Sequence, residues 1–294
     1  MPATLSRHAH RGLSYLRGGD GEPLLLLHGI PGSAHSWAAA GQHLASNYDV
    51  IIPDLSGFGQ SVENGQRLHL DHEFYLEAYA ETIWGLLEEI DVTSCYLGGH
   101  DFGGAVALAL IRLFPELTPR GLVLAATNPF VDTPVPWPLR LAGVPGLGSV
   151  FVRLVAGTRL GLRLLYWYAV RNKDTFETVD FDRHLTPSGI EQTRSILQRS
   201  IVGKRDNYEE IEALLPHLDF PALVLVGDRD PFLSVEQAKR LVEALPDAML
   251  TVFKETGHFL PEERPDGVAW HVLDFFRARS SRSPRPVWER WSPS

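Results

Sequence analysis

An aspartate stands in the middle of a glycine-rich turn, directly after an apolar run. Residues 98–104 read Gly-Gly-His-Asp-Phe-Gly-Gly, and the aspartate is Asp101. Small residues two before and two after a central residue allow a tight turn from strand to helix. Such a turn would hold Asp101 at the carboxyl end of a sheet, beside a helix N-terminus that favours negative charge. The pattern predicts a nucleophile, and the non-catalytic alternative is a turn in which Asp101 caps the helix.

A second turn sequence follows another apolar run. Residues 28–32 read His-Gly-Ile-Pro-Gly, directly after four leucines. If this loop lies at the same sheet edge, the backbone N–H groups of Ile30 and Phe102 form an oxyanion hole. His28 and His100 are our candidates for substrate contacts beside them. The alternative is a plain strand-ending loop, because His-Gly and Pro-Gly are turn sequences.

An acid and a histidine complete the candidate machinery. Residues 223–231 read Leu-Val-Leu-Val-Gly-Asp-Arg-Asp-Pro, and we expect Asp230 to orient a histidine. Asp228 is its rival, as are Asn128 and Asp132 after the preceding predicted strand. The histidine we select from the twelve is His258, which lies in a loop late in the chain, after a predicted strand.

The composition excludes several classes of protein. The chain has 294 residues, 44% hydrophobic and 21% charged, which is ordinary for a globular protein. A net charge of −9 argues against a nucleic acid partner. The single cysteine, Cys95, excludes a disulfide framework. No dinucleotide motif follows a strand and no cluster has metal-ligand spacing, so we expect no cofactor and no metal.

The longest apolar stretch, residues 139–170, carries four arginines, which a membrane-spanning helix would not tolerate. Residues 1–11 contain no apolar segment of signal-peptide length. We therefore expect a cytoplasmic protein that does not associate with membranes.

Strands and helices must alternate to place these residues at one edge. Apolar runs alternate with amphipathic stretches, which indicates helices over a mostly parallel sheet. We predict a hairpin of residues 13–17 and 23–27 around the turn 18–21. Further strands are predicted at 50–52, 94–97, 122–126, 222–226 and 249–253, and helices at 74–90, 104–114, 237–244 and 268–277.

The alternation stops between residues 129 and 219, where three prolines precede helical segments. We interpret 129–219 as a helical cap inserted into a core formed by 1–128 and 220–279, with a tail at 280–294. A purely structural helical layer is the alternative.

These motifs resemble the α/β-hydrolase superfamily. That superfamily uses the chain order nucleophile, acid, histidine, which here gives Asp101, Asp230, His258. Residues 53–61, Pro-Asp-Leu-Ser-Gly-Phe-Gly-Gln-Ser, look like the family's loop after the strand that follows the oxyanion segment. The resemblance covers residues 13–277 and implies an α/β-hydrolase fold: a mostly parallel eight-stranded sheet flanked by helices, with a helical cap insertion.

Within that superfamily, an aspartate at the nucleophile position makes this chain similar to the epoxide hydrolases and haloalkane dehalogenases. The motifs at 28–31 and 99–104 match the epoxide hydrolase patterns, except that tryptophan is common where Phe102 stands. Haloalkane dehalogenases typically place Trp and Asn where Phe102 and Ile30 stand. Unlike Trp and Asn, the side chains of Phe102 and Ile30 cannot donate a hydrogen bond to halide. The resemblance implies that a hydrophobic epoxide is opened to a diol through an ester on Asp101.

The family usually brings two cap tyrosines, or a His–Tyr pair, to the epoxide oxygen. One usually lies roughly 30 residues before the acid, but residues 198–200 here are Gln-Arg-Ser. We expect the donor and other substrate contacts among the cap aromatics Trp137, Tyr166, Trp167 and Tyr168, although packing is the alternative for each.

Two alternatives to epoxide hydrolysis stay open. A haloalkane dehalogenase would use the same Asp101, His258 and Asp230. A non-catalytic hydrolase-fold protein would bind a hydrophobic ligand, but its triad would be expected to be broken. The expected partners are therefore a hydrophobic small molecule and water, and a homodimer is left open.

Overall fold

Eight strands form one sheet in the computed structural model of the chain, which describes residues 4–61, 75–132, 139–141, 144, 146–197 and 206–279. The strand order is β1-β2-β4-β3-β5-β6-β7-β8. β1 and β2 are antiparallel to their neighbours, and β3 to β8 run parallel. The strands are β1 Ser6–His10, β2 Leu13–Gly18, β3 Glu22–Leu27, β4 Tyr48–Pro53, β5 Ser94–His100, β6 Thr118–Ala125, β7 Ala222–Gly227 and β8 Ala248–Phe253.

The parallel strands read as continuous apolar runs because helices cover both faces of such a sheet. The four leucines that end β3 and all of β7 are buried, whereas the edge strand β1 is largely exposed. The predicted mostly parallel sheet is therefore confirmed, and its parallel strands carry the candidate loops at their carboxyl ends.

The helices flank this sheet, and several of them lie in the long connection between β6 and β7. Helix α1 packs against α12, and α2 packs against α3. The α-helices are α1 His35–Leu44, α2 Tyr75–Glu89, α3 Phe102–Leu113, α4 Gly148–Phe151, α5 Arg159–Ala169, α6 Lys173–Thr178, α7 Phe181–His184, α8 Pro187–Leu197, α9 Asp206–Leu214, α10 Val235–Ala244, α11 Leu260–Glu263 and α12 Pro265–Arg277.

The predicted hairpin of residues 13–17 and 23–27 is wrong. β4 lies between β2 and β3, so these two strands do not pair. The leucines of β3 require a central position with cover on both faces. The hairpin partner of β2 is β1, joined through Arg11 and Gly12, both at positive φ (43° and 91°). That is the arrangement of a tight two-residue hairpin turn, but Arg-Gly is not its usual sequence signal.

We call the described part of the connection between β6 and β7 the helical insertion. All of its regular secondary structure is helical. It includes α4 to α9 and a π-helical turn at Val152–Ala156. It has its own apolar cluster, which Phe259 joins from the loop after β8. The division into core and cap at residues 129 and 219 stays a prediction. In the part of the chain that the structure describes, no helix has the length and apolar character needed to cross a membrane.

Candidate active site

Asp101 occupies the sharp bend between β5 and α3. Its φ of 51° and ψ of −119° lie outside the conformations that side-chain-bearing residues prefer. Such strain persists only where the surroundings enforce it, and it is typical of functional positions. The bend is tight because Gly99 carries no Cβ: one added there would lie 2.4 Å from the Gly104 Cα atom. The local sequence therefore positions the carboxylate at the carboxyl end of the central strands.

The loop after β3 approaches the Asp101 carboxylate with a backbone donor. The N–H of Ile30 donates to Asp101 Oδ2 at 3.0 Å. A Cβ on Gly29 would lie 2.7 Å from Asp101 Cβ, so this approach also requires glycine. The Asp101 side chain remains 29% exposed, which leaves it open to a small molecule. Phe102 begins α3 directly after Asp101, and its buried ring packs edge-on against Tyr79.

His258 faces the same carboxylate from the loop after β8. Its Nε2 lies 3.7 Å from Asp101 Oδ1, and its Nδ1 donates to Asp230 Oδ2 at 2.8 Å. The side chain of Asp230 is fully buried, and its other oxygen accepts hydrogen bonds from the N–H groups of Phe232 and Leu233 at 2.7 and 3.0 Å. These two backbone bonds fix the carboxylate that orients the imidazole.

The rival acids lie elsewhere. Asp228 is 30% exposed and lies 4.0 Å from Arg229, and Asp132 pairs with Arg240 at the surface. Asn128 accepts the N–H of Phe130. Of the four candidates from the sequence, Asp230 is the one in contact with His258.

The pKa values of the facing pair move in opposite directions. Burial alone would lower the pKa of His258, but the charges and hydrogen bonds of Asp230 and Asp101 outweigh it and raise the pKa to about 10. Burial would raise the pKa of Asp101, but His258 and the Ile30 N–H lower it overall. At neutral pH the resting site is therefore an ion pair of carboxylate and imidazolium.

His28 and His100 are buried and bond to backbone groups of the neighbouring loops, and their predicted contact with substrate stays a prediction. The Nδ1–H of His28 donates to the Gly29 carbonyl, and its Nε2 accepts the N–H of Leu55 at 3.0 Å. Burial lowers the pKa of His28 to about 4, so the ring is neutral. His100 Nε2 donates to the His258 carbonyl at 2.9 Å. Both rings use their polar atoms to hold the loops that carry the site.

The aromatic residues predicted to line the site divide into three groups. The Tyr166 hydroxyl is committed to Glu262 at 2.6 Å and its ring stacks on Phe259. Trp167 is 49% exposed under the ammonium group of Lys173, and its contact with substrate stays a prediction. Tyr168 packs against Phe232, which in turn packs edge-on against His258.

Trp137 lies outside the described residues, as do residues 198–200.

A buried polar cluster next to the site was not predicted from the sequence. The side chain of Glu262 is only 9% exposed, and its carboxylate accepts a hydrogen bond from the Tyr166 hydroxyl. The same carboxylate lies 3.9 Å from the His184 ring, and Nδ1 of that ring is 3.3 Å from Ser33 Oγ. It joins the insertion to the loops after β3 and β8. No sequence signal points to this cluster, because Glu262 and Glu263 in the short helix α11 look like ordinary surface residues.

Glu263 was missed for the same reason. Its carboxylate accepts the N–H groups of Gly257, Arg171 and Asn172 at 3.0, 2.8 and 2.9 Å. The His258 N–H also donates to the carbonyl of Ala169 in α5. The loop that carries His258 is thus held by the insertion as well as by the sheet.

Among the described residues, no group of three or more His, Cys, Asp or Glu side chains is placed to hold a metal ion.

Comparison with known proteins agrees with the fold. The family of the α/β-hydrolase fold matches residues 22–165. The uncharacterized hydrolase YugF of Bacillus subtilis is 27% identical over 256 residues, which cover 87% of this chain and 90% of that protein. Epoxide hydrolase 4 of Mus musculus is 26% identical over 276 residues, covering 88% of this chain and 75% of that protein.

The crystal structure of haloalkane dehalogenase DbeA from Bradyrhizobium elkani USDA94 superposes with a TM-score of 0.75. It is 21% identical and the match covers 96% of this chain and all of that one. At this identity the likeness concerns the fold. The chain therefore has the α/β-hydrolase fold. The resemblance to the α/β-hydrolase superfamily, and within it to epoxide hydrolases, is confirmed.

Proposed function

We propose that this chain is an epoxide hydrolase that opens a hydrophobic epoxide to a diol through a covalent ester on Asp101. One observation carries the proposal: an ionised carboxylate stands on the strained bend where this fold presents its nucleophile, with the imidazole of His258 3.7 Å away and Asp230 behind it. The relationship to mouse epoxide hydrolase 4 supports the same reaction class.

A carboxylate suits attack on saturated carbon. Attack on a carboxylic ester would produce an anhydride, which is a less favourable intermediate than the ester that a serine would form. Attack on an epoxide carbon instead produces an ordinary alkyl ester, and water can hydrolyse that ester. Asp101 is ionised without help from a base, because its pKa is lowered.

In the first step an Asp101 oxygen bonds to an epoxide carbon and the ring carbon–oxygen bond breaks. The bonding pair goes to the departing oxygen, which takes up one proton. Loss of the Asp101 charge removes the ion pair that kept His258 protonated, so the imidazole gives up its proton in the same step. The products are an ester, an alcohol and a neutral His258.

We assign proton delivery at the departing oxygen to Tyr168. Its ring lies against Phe232, which packs on His258. The Tyr168 hydroxyl gives its proton to the departing oxygen and takes up the proton that His258 releases, so the tyrosine is neutral again at the end of the step.

In the second step neutral His258 removes a proton from water, and the hydroxide bonds to the Asp101 carbonyl carbon. The N–H groups of Ile30 and Phe102 would stabilise the resulting oxyanion, for which one donor is typically worth about 2.7–4 kcal/mol. Collapse breaks the bond to the substrate oxygen, which takes up the proton of the newly added hydroxyl, and the diol is released. Asp101 returns as carboxylate and His258 as imidazolium.

Haloalkane dehalogenation is the alternative reaction, because the same carboxylate would displace halide from saturated carbon. Phe102 and Ile30 disfavour it, since neither side chain can donate a hydrogen bond to the leaving halide.

A single turnover in ¹⁸O-labelled water tests the ester. With enzyme in excess over a styrene-type epoxide, we expect ¹⁸O in the peptide that contains Asp101 and unlabelled oxygen in the diol. The peptide that contains Asp230 is the internal control and should stay unlabelled. Label in the first-turnover diol with an unlabelled Asp101 would mean direct attack by water. Halide release from a bromoalkane without epoxide turnover would favour the dehalogenase.

A further inference from the structure

The helical insertion exposes an unusual amount of apolar surface. Among the described residues, eleven large hydrophobic side chains are exposed, and nine of them lie between Leu141 and Trp167. Single exposed apolar residues need no explanation, but a concentration of them in one segment is typical of a docking surface.

Helix α5 shows why these side chains face outward. Leu162, Tyr166 and Ala169 form its buried stripe. Leu160, Leu164 and Trp167 form a second apolar stripe at the same spacing, and these are 68%, 58% and 49% exposed. The two stripes point in different directions, so the core can bury only one of them. The second stripe lines a groove of about 670 Å³ together with Arg159, Arg163 and Phe176.

The preceding turns of the insertion continue the pattern. α4 and the π-helical turn expose Val150, Leu154 and Val155 at 53%, 66% and 51%, and Leu147 just before them is 63% exposed. We call these four side chains, together with Leu160, Leu164 and Trp167, the exposed apolar face.

The charges within the segment that carries this face have one sign. Residues 133–173 contain six basic residues and no acidic residue, in a chain whose net charge is −9. Arg153 is exposed among the aliphatic side chains. Asp182, from α7, pairs with Arg159 at one margin, and the Arg163 guanidinium lies over the Phe181 ring.

We propose that the exposed apolar face docks this protein on the surface of an anionic phospholipid membrane, without crossing it. Aliphatic side chains and a tryptophan enter the boundary between headgroups and acyl chains, while arginines bind lipid phosphates. The expectation of no membrane association rested on the arginines that argue against a spanning helix in residues 139–170, and they do not bear on such peripheral binding.

A second copy of the chain fits this face less well. A two-fold dimer would bring the same surface of each copy together, so the arginines of both copies would meet. An anionic lipid surface supplies the opposite charge instead.

Vesicle sedimentation with the full chain tests the proposal. We expect binding to vesicles of phosphatidylcholine mixed with phosphatidylglycerol, weaker binding at high salt, and little binding to phosphatidylcholine alone. Leu160→Ser/Leu164→Ser should lower the partition coefficient at least tenfold, because two leucine side chains no longer contribute apolar contact. Arg153→Glu should lower it roughly tenfold or more.

Matched controls come from elsewhere on the surface. Trp167→Ala should weaken binding, whereas Trp270→Ala, which removes a tryptophan that is 58% exposed in α12, should not. Lys239→Glu, at an exposed position of α10, reverses one charge as Arg153→Glu does and should leave binding unchanged. Circular dichroism and thermal melts verify that each variant is folded.

The proposal is overturned if the wild-type chain does not sediment with anionic vesicles, or if the control variants lose binding as much as the variants of the face. It is also overturned if light scattering shows a dimer without lipid that Leu160→Ser/Leu164→Ser converts to monomer. The face would then be an interface between copies.

Discussion

The pKa of His258 depends on the charge of Asp101. In the resting site the imidazole has a pKa of about 10 because two carboxylates face it, and a protonated ring cannot act as a base. Formation of an ester on Asp101 would remove one of those charges and lower the pKa of His258. The base would therefore become competent only after the first step has taken place, which orders the two steps.

Replacement of His258 should separate the two steps. In His258→Gln we expect Asp101 to be alkylated while ester hydrolysis slows by about 10²–10⁴-fold, the usual contribution of a general base. Intact-protein mass spectrometry after mixing with epoxide should show a stable adduct of substrate mass, and Asp101→Ala should show none. Full turnover by His258→Gln without an adduct would contradict the assignment of the base.

The two acids after β7 form a matched pair for testing what orients His258. Asp230→Asn should lower kcat at least a hundredfold, because the amide replaces the buried carboxylate that accepts the Nδ1–H and raises the pKa of His258. Asp228→Asn makes the same chemical change at a partly exposed position and should retain activity. Steady-state kinetics on one epoxide measures both, and the reverse result would transfer the role to Asp228.

At the scale of elements, the site could be predicted because each of its parts follows an apolar strand. Asp101, Asp230 and His258 were selected from the sequence by that position, and parallel strands bring their carboxyl ends to one edge. Glu262 and Glu263 could not be found in this way. Their roles depend on where the insertion packs, and nothing in the chain near them records that contact.

Helix α5 shows the second limit of sequence analysis. Its periodicity contains two apolar stripes, and spacing alone does not show which of them faces the core. Trp167 and Tyr166 were therefore both expected near substrate, although the structure places one outside and one inside. The misplaced hairpin has a related cause, since local turn signals do not show which strand will be inserted between two others.

The loop after β3 should tolerate no side chain where it passes Asp101. In Gly29→Ala the new Cβ would clash with Asp101, so we expect activity to fall at least a hundredfold while the chain stays folded. Gly85→Ala in α2 is the control, because a Cβ there meets nothing within 4 Å. It should keep full activity and gain about 0.5–1 kcal/mol of stability. Kinetics and denaturant unfolding of the two variants measure this, and an active Gly29→Ala would show that the loop does not touch the carboxylate.

On the scale of the whole molecule, buried and partly buried histidines make folding depend on pH. Burial is the main cause that lowers the pKa of both His28 and His35 to about 4, and it also lowers that of His100. The unfolded chain protonates His28 and His35 near pH 6.5, whereas the folded chain resists their protonation until about pH 4. The free energy of unfolding should therefore fall as the pH drops from about 6.5 to 4.

The pKa of His258 is shifted in the opposite direction, and the shift affects stability over a different pH range. Its pKa is raised from 6.5 to about 10, so its contribution to stability is complete below pH 6.5 and is lost as the pH rises towards 10. Stability should thus be greatest near neutral pH, with histidines responsible for the decline on both sides.

His28→Gln isolates the acid side of this profile. At pH 8, where His28 is neutral in both states, the variant should lose stability through its broken hydrogen bonds to the loop backbone. Between pH 8 and pH 5, however, the wild type should lose roughly 2 kcal/mol more than the variant, because only the wild type carries the titrating ring. Urea unfolding at both pH values measures the difference. Equal losses in the two proteins would mean that His28 is protonated in the folded chain, and the loop after β3 would then have to be held by some contact other than this neutral ring.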